Sequence, residues 1–411
     1  MYYSKEEAIQ FIEQNDVKFI RLAFTDIFGK QKNVSIMPNE LNKAFESGIS
    51  FDASAIEGFK EESKSDLFLI PDARTMSLLP WRPTSGRVVR FFCDIYDKEK
   101  KPFISDSRYI LKQAVSYAAE QGYSFLFGPE CEFYLFKTDE EGNSTNIPLD
   151  NGTYMDIAPC DKGENVRREI CLTLEQMGIN PEKSHHEEGP GQNEIDFAYS
   201  DAISAADNLT AFKAVVAAIA ARNGLYADFS AKPIKDKAGN GLHVNMSVKS
   251  INKKDTTTNT RDYMICGILN RIREITLWLN NSENSYQRLS KFKAPGYVTW
   301  AYSDRSQLIR IPASIDSLSR IEVRSADPMA NPYLSFALLI YASMEGINNR
   351  NTPPAPMDMN LYKSNIDTVR SIQKLPDSLN EAKRIASESE FVKRHLPADI
   401  IESYINRRTI G

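Results

Sequence analysis

Glu130 and Glu132 stand two residues apart inside the apolar run Phe127–Phe136. Side chains alternate across a strand, so both carboxylates point to one face. Two acids held that close repel unless a cation lies between them. A solvated acidic face would explain one such pair equally well, so the argument rests on recurrence. Residues 192–197 again alternate acid with apolar, placing Glu194 and Asp196 on one face just after His185, His186, Glu187 and Glu188. Residues 241–247 put His243, Asn245 and Ser247 on one side, and residues 320–324 do the same for Arg320, Glu322 and Arg324. Oxygen-rich sets with one imidazole suit Mg²⁺ or Mn²⁺, and arginines beside them suit phosphate or carboxylate. Metal plus arginine is the equipment of phosphoryl transfer.

His243 reads as a ligand because Asn245 and Ser247 accompany it; a solitary histidine there would read as core. His185 and His186 read as structural, and Glu188 and Asp196 as surface or supporting acids. The chain carries no Walker A loop, kinase glycine loop or dinucleotide-binding fingerprint, so a nucleotide site must come from another architecture.

Strands must present these groups, and helices must cover their backs. Ser4-Lys5-Glu6-Glu7 ahead of Ala8, Ile9 and Ile12 is the signature of a capped helix. Val17–Phe24 and Asn33–Met37 read as partner strands around a glycine turn. Residues 107–121, 166–177, 202–222, 262–280 and 332–347 carry helical patterning. The charged, proline-ended run 97–102 divides the chain into residues 1–101, a small α+β unit, and 102–411, a larger one.

At 411 residues the chain exceeds one ordinary core. A formal net charge of −5 with no basic stripe argues against nucleic acid as partner. Five cysteines without Cys-x-x-Cys spacing indicate reduced thiols. The polar N-terminus lacks a signal-peptide core, and the apolar stretches 214–221 and 336–344 fall short of the ~20 residues that span a bilayer. A soluble, cytoplasmic protein with no membrane partner is the expectation.

The segments Arg21–Gly29, Phe51–Phe59, Gly128–Phe136, His185–Phe197, Asn284–Leu289, Asp304–Pro312 and Arg320–Leu334 together resemble bacterial type I glutamine synthetase over nearly the whole chain. The resemblance implies an α+β fold: an N-terminal β-grasp domain and a larger catalytic domain whose antiparallel sheet forms a funnel. It implies two or more divalent ions per site, Mg²⁺ or Mn²⁺, with Glu132, Glu187 and Glu194 holding one and Glu130, His243 and Glu322 the other. Arg305 and Arg310 would contact phosphate, with Asn245 and Ser247 also at ATP. Arg288, Arg324 and Gly239 would hold the glutamate and its acyl phosphate. Tyr154 and Asp52 would belong to the ammonium site, Asp52 being delivered by a neighbouring subunit of a ring-shaped homo-oligomer and serving as the proton acceptor. The implied substrates are ATP, glutamate and an amine.

Four departures from that pattern stand out. Lys293 occupies the place of a flap glutamate that closes over the acyl phosphate. Ala55 replaces a serine near the ammonium pocket. Ala238 replaces an asparagine in the loop beside glutamate. The C-terminal stretch ends before the helix expected to grip an opposing ring, so a double ring is less expected. The metal and phosphate half is therefore kept and the amine half altered. The expected activity is an ATP-dependent γ-glutamyl–amine ligase, using ammonia or a larger amine that Lys293 contacts. A catalytically weak paralogue with a regulatory role is the alternative, and a purely structural ring protein a third reading.

Overall fold

The computed structural model describes residues 3–59, 65–82, 84–251, 258–313, 320–364 and 369–407. The chain opens with helix α1 (Lys5–Gln14), where Ser4 Oγ accepts from the Glu7 amide at 3.1 Å and Glu7 returns a bond to the Ser4 amide at 2.7 Å. Six strands follow: β1 (Val17–Thr25), β2 (Gln31–Ile36), β3 (Ile49–Asp52), β4 (Asp66–Pro71), β5 (Ser77–Leu78) and β6 (Arg87–Tyr96), with helix α2 (Leu41–Ser47) between β2 and β3. They form one sheet in the order β2-β1-β6-β4-β3, with β5 on β6. β1 and β6 run parallel and the other pairs antiparallel, which is the β-grasp arrangement.

The second sheet holds ten strands among the described residues: β7 (Tyr123–Thr138), β8 (Ser144–Pro148), β9 (Pro181–His186), β10 (Gln192–Phe197), β11 (Ser200–Asp201), β12 (Leu225–Asp228), β13 (Leu242–Ser250), β14 (Trp300–Tyr302), β15 (Ile309–Ile311) and β16 (Arg320–Val323). Its main path is β14-β15-β16-β13-β7-β10-β9. All its pairs are antiparallel except β14–β15, which is parallel. The expectation of an antiparallel sheet needs that one amendment. Residues 303–308 carry the chain back so that β15 starts at the same end as β14.

Period-2 patterning decides what each face sees. On β7, Phe125, Phe127, Cys131, Phe133 and Leu135 enter the core, and on β13 Leu242, Val244, Met246 and Val248 join them. The intervening residues, Glu130, Glu132, His243, Asn245 and Ser247, face the opposite way. A one-residue slip would bury the acids and expose the aromatics, so register is strongly specified. Each fully buried large apolar side chain adds roughly 1.5–3 kcal/mol.

Helices α3 (Ser107–Glu120), α4 (Glu164–Gln176), α5 (Ala202–Arg222), α6 (Thr258–Leu279), α7 (Glu283–Arg288), α8 (Pro332–Asn349), α9 (Leu379–Glu388), α10 (Glu390–His395) and α11 (Ala398–Asn406) complete the chain. Phe127 of β7 stacks on Phe336 of α8 with ring centres 4.5 Å apart. α5 is the one described helix long and apolar enough, by length and composition, to cross a membrane. It lies in the protein core, with Leu209, Phe212, Val216 and Ile219 fully buried. The two sheets are joined by a buried knot of charge in which Arg108 of α3 binds Asp72 and Asp94 on one side and Asp207 of α5 on the other. In the β1–β2 turn Gly29 allows a second close approach: a Cβ on it would sit 2.8 Å from the Asn331 Cα.

Candidate active site

The polar faces of β7, β10 and β13 converge on a cavity of about 320 Å³. Cross-strand register creates the convergence. His243 lies opposite Glu130, Glu132 opposite Glu194, and Glu194 opposite His185. On the far side, Asn245 of β13 faces Glu322 of β16. Five of the six predicted ligands line the cavity, and Glu322 lies behind His243, its Oε1 3.8 Å from His243 Nδ1.

Glu130, His243 and Glu322 come together as predicted, with candidate ligand atoms all within 4.8 Å of one another. Glu130 Oε1 accepts from Asn245 Nδ2 at 2.7 Å, which fixes the carboxylate's orientation. Glu322 is fully buried. Burial alone would raise its pKa, but Arg324, His243 and Arg310 outweigh it and hold the pKa down to about 2. Arg310 Nη1 donates to Glu322 Oε2 at 2.6 Å, and Arg324 Nη1 to Glu322 Oε1.

The other triad is only partly assembled. Glu132 and Glu194 approach each other and His243, while Glu187 and Glu194 are joined through His185. His185 Nε2 lies 3.5 Å from Glu194 and its Nδ1 3.6 Å from Glu187. His185, expected to be structural, therefore stands in the acid cluster. His186 does hold structure: its Nε2 lies 2.9 Å from Asp150, which also accepts from the amides of Gly152, Lys162 and Gly191. Alternation could have separated the two, since His185 and Glu187 are two residues apart.

Electrostatics test whether these acids suit a cation. Burial, then Glu187, pushes Glu132 up to about 8, although the Gly241 amide donates to it at 2.7 Å. Burial, then Glu132, lifts Glu194 well above the ordinary carboxylate range, and burial lifts Glu187 as well. Three neighbouring carboxylates resisting ionisation mark a surplus of negative charge that a divalent ion would relieve. The donor set fits Mg²⁺ or Mn²⁺, with Glu130, His243, Glu322, Glu132, Glu187 and Glu194 to hold them.

Arginines close the opposite wall. Arg288, at the end of α7, is buried and donates to the Ser325 carbonyl at 2.9 Å. Ser282 caps that short helix, and Ser285 returns the bond. Arg324 Nε donates to the Arg305 carbonyl at 3.1 Å, and all three arginines line the cavity. Gly239 and Gly241 make room: a Cβ on Gly241 would meet His243 Nε2 at 2.7 Å and Arg288 Nη2 at 2.9 Å.

Several predicted residues sit elsewhere. Arg310 engages Glu322, one of the expected ligands, and the Ser303 carbonyl. Asn245 orients Glu130 and accepts from Arg320 at 2.9 Å. Ser247 faces Arg320 across the β13–β16 ladder and does not line the cavity. Asp52 lies in the other sheet, exposed, accepting from Ser54 Oγ at 2.6 Å. Tyr154 stands at the cavity mouth with its ring edge toward His185, centroids 5.4 Å apart. Lys293 also reaches the mouth, where it pairs with Glu188. That partner was unforeseen, because the contact joins two loops about a hundred residues apart. Gln192 was missed too; its Nε2 donates to Glu132 at 3.0 Å.

Residues 16–98 match the family model described as glutamine synthetase, beta-Grasp domain, and residues 104–410 match glutamine synthetase, catalytic domain. A glutamine synthetase of Clostridium saccharobutylicum is 42% identical, over 98% of this chain and 94% of that protein. One from Methanosarcina mazei is 42% identical, over 98% and 92% respectively. Among solved structures, a GmaS/ADP complex superposes with a TM-score of 0.88 at 26% identity, covering 97% of this chain and 94% of that one.

Proposed function

Since the chain belongs to the glutamine synthetase family of ATP-dependent ligases, we propose that it joins an amine to the side-chain carboxyl of glutamate through an acyl phosphate. The observation carrying this reading is the meeting of five acidic or imidazole ligands with Arg288, Arg305 and Arg324 around one cavity.

A carboxylate is a poor electrophile because its leaving group would be oxide. In the proposed reaction a glutamate oxygen attacks the γ-phosphorus of ATP, the bond to the β-phosphate oxygen breaks, and ADP leaves. The amine nitrogen then attacks the acyl carbon, the C–O bond breaks, and phosphate departs with both bonding electrons. Two divalent ions, Mg²⁺ or Mn²⁺, would neutralise phosphate charge when bound to the six ligands. Arg288 and Arg324 orient the glutamate, and Arg305 meets charge building on the transferred phosphoryl group. Gln192 and the Gly241 amide hold Glu132 in place.

The attacking amine must lose a proton. Asp52 is the proposed acceptor, and its exposed place outside its own chain's cavity supports a ring in which a neighbour supplies it. Unbridged cysteines agree with a cytoplasmic setting. Lys293, Glu188 and Tyr154 form the amine end, with ammonia or a larger primary amine as acceptor.

Hydroxylamine tests the acyl phosphate. With ATP, glutamate and Mg²⁺ or Mn²⁺ it should be converted to γ-glutamyl hydroxamate. ATP binding without hydroxamate or ADP would favour the weak-paralogue reading instead.

A further inference from the structure

A second cavity, of about 260 Å³, lies between the two sheets, away from the ligand cluster. Arg90 of β6 forms part of its wall and is only 6% exposed. Among the described residues its side chain makes no hydrogen bond or ion pair, and its Nε is buried without a partner. The centre of the Phe92 ring lies 3.9 Å from its guanidinium carbon.

The neighbouring charges are already matched. Asp72 accepts from Arg74 and Arg108, Asp94 from Arg108 and Lys112, and Asp207 from Arg108 and the Tyr333 hydroxyl. These three acids therefore face three cations before Arg90 is counted, and Asp106, a fourth acid of the group, accepts from the backbone amides of Ile95 and Arg108. Burial draws the Arg90 pKa down to about 10 even though Asp207 favours the cation. Arginine cannot shed its proton at ordinary pH, and an unmatched buried charge is costly. Across the cavity, Ser200 offers a hydroxyl that is also buried and unpartnered, whereas Tyr199 lines the wall with its ring and carries Arg320 5.5 Å from the ring centre.

We propose that this cavity is a binding site for a small oxyanion, a carboxylate or phosphate, held by the Arg90 guanidinium with the hydroxyl of Ser200. Arg90 belongs to the β-grasp sheet, whereas Ser200 borders the strand that carries Glu194. An anion here would tie the two sheets together.

The test is a thermal melt of the full chain titrated with inorganic phosphate or with succinate, at constant ionic strength set by chloride. Arg90→Gln and Ser200→Ala probe the cavity, and Arg305→Gln controls for anions at the catalytic cavity. Wild type and Arg305→Gln should gain roughly 2 °C at ten times Kd for the preferred anion. Arg90→Gln should lose that gain and melt higher than wild type in chloride alone, since the unmatched charge is gone. Ser200→Ala should keep the chloride melting point but bind several-fold more weakly. Whichever of phosphate and succinate gives the larger Arg90-dependent shift identifies the ligand chemistry. An unchanged response in Arg90→Gln, or a response abolished by Arg305→Gln, would overturn the proposal. If Arg90→Gln fails to fold, a selenate soak must place density within hydrogen-bond reach of Arg90 in wild type, and an empty cavity refutes the site.

Discussion

Lys293 and Glu188 form an ion pair at the cavity mouth, and the lysine ammonium lies 5.5 Å from the centre of the Tyr154 ring. A carboxylate beside an aromatic face is also what an incoming ammonium or primary amine needs. In this state the lysine holds that position itself. Lys293→Ala should therefore lower KM for the amine, and Glu188→Gln should raise it. An exposed pair is worth up to about 1 kcal/mol, or about fivefold. Steady-state kinetics with ammonium and methylamine decide it. Equal KM values in all three proteins would show that the pair does not touch the amine site.

Glu194 is buried beside Glu132 and Glu187, and all three resist ionisation. Glu194→Gln should stabilise the metal-free chain by roughly 1–2 kcal/mol. It should also abolish most of the rise in Tm that Mg²⁺ or Mn²⁺ gives wild type. Paired melts in EDTA and in metal read both effects. A variant that melts lower in EDTA yet keeps the full metal response would contradict the assignment.

Gly241 has its amide on Glu132 and no space for a side chain. Gly241→Ala should displace His243 or Arg288 and cut kcat/KM by about a hundredfold, because small misplacements at a reacting centre are costly. Urea unfolding should change far less. Wild-type kinetics in this variant would mean that the loop can shift freely.

Asp106 is buried where β6 meets α3. Burial and then Asp94 push its pKa up to about 7, against an ordinary 3.8. Folded protein then binds a proton that unfolded chain has released, so stability falls as pH rises from about 4 to about 7 and levels off above. Asp106→Asn keeps a side chain able to cap α3 and should flatten that part of the profile. Urea unfolding at pH 5 and pH 7.5 measures the slope, and an unchanged slope would remove Asp106 as its source.

Much of this site was legible because strands alternate strictly. Once residues 127–136 and 241–247 read as strands, the shared faces of Glu130, Glu132 and His243 followed without knowledge of the fold. Contacts across long sequence separations were not legible. The pairing of Arg310 with Glu322 appears only once β15 lies against β16. Glu188 looks like a surface acid until the 288–295 loop brings Lys293 over it. The parallel β14–β15 pair and the burial of α5 likewise depend on packing that a local window does not contain.

The central claim is phosphoryl activation of glutamate at this cavity. ADP release measured with ATP, glutamate, Mg²⁺ or Mn²⁺ and a panel of amines tests it most directly. The account predicts ADP release that requires both glutamate and an amine and is lost in Glu130→Gln. No ADP release with any amine, from protein whose Tm still rises with metal, would contradict it.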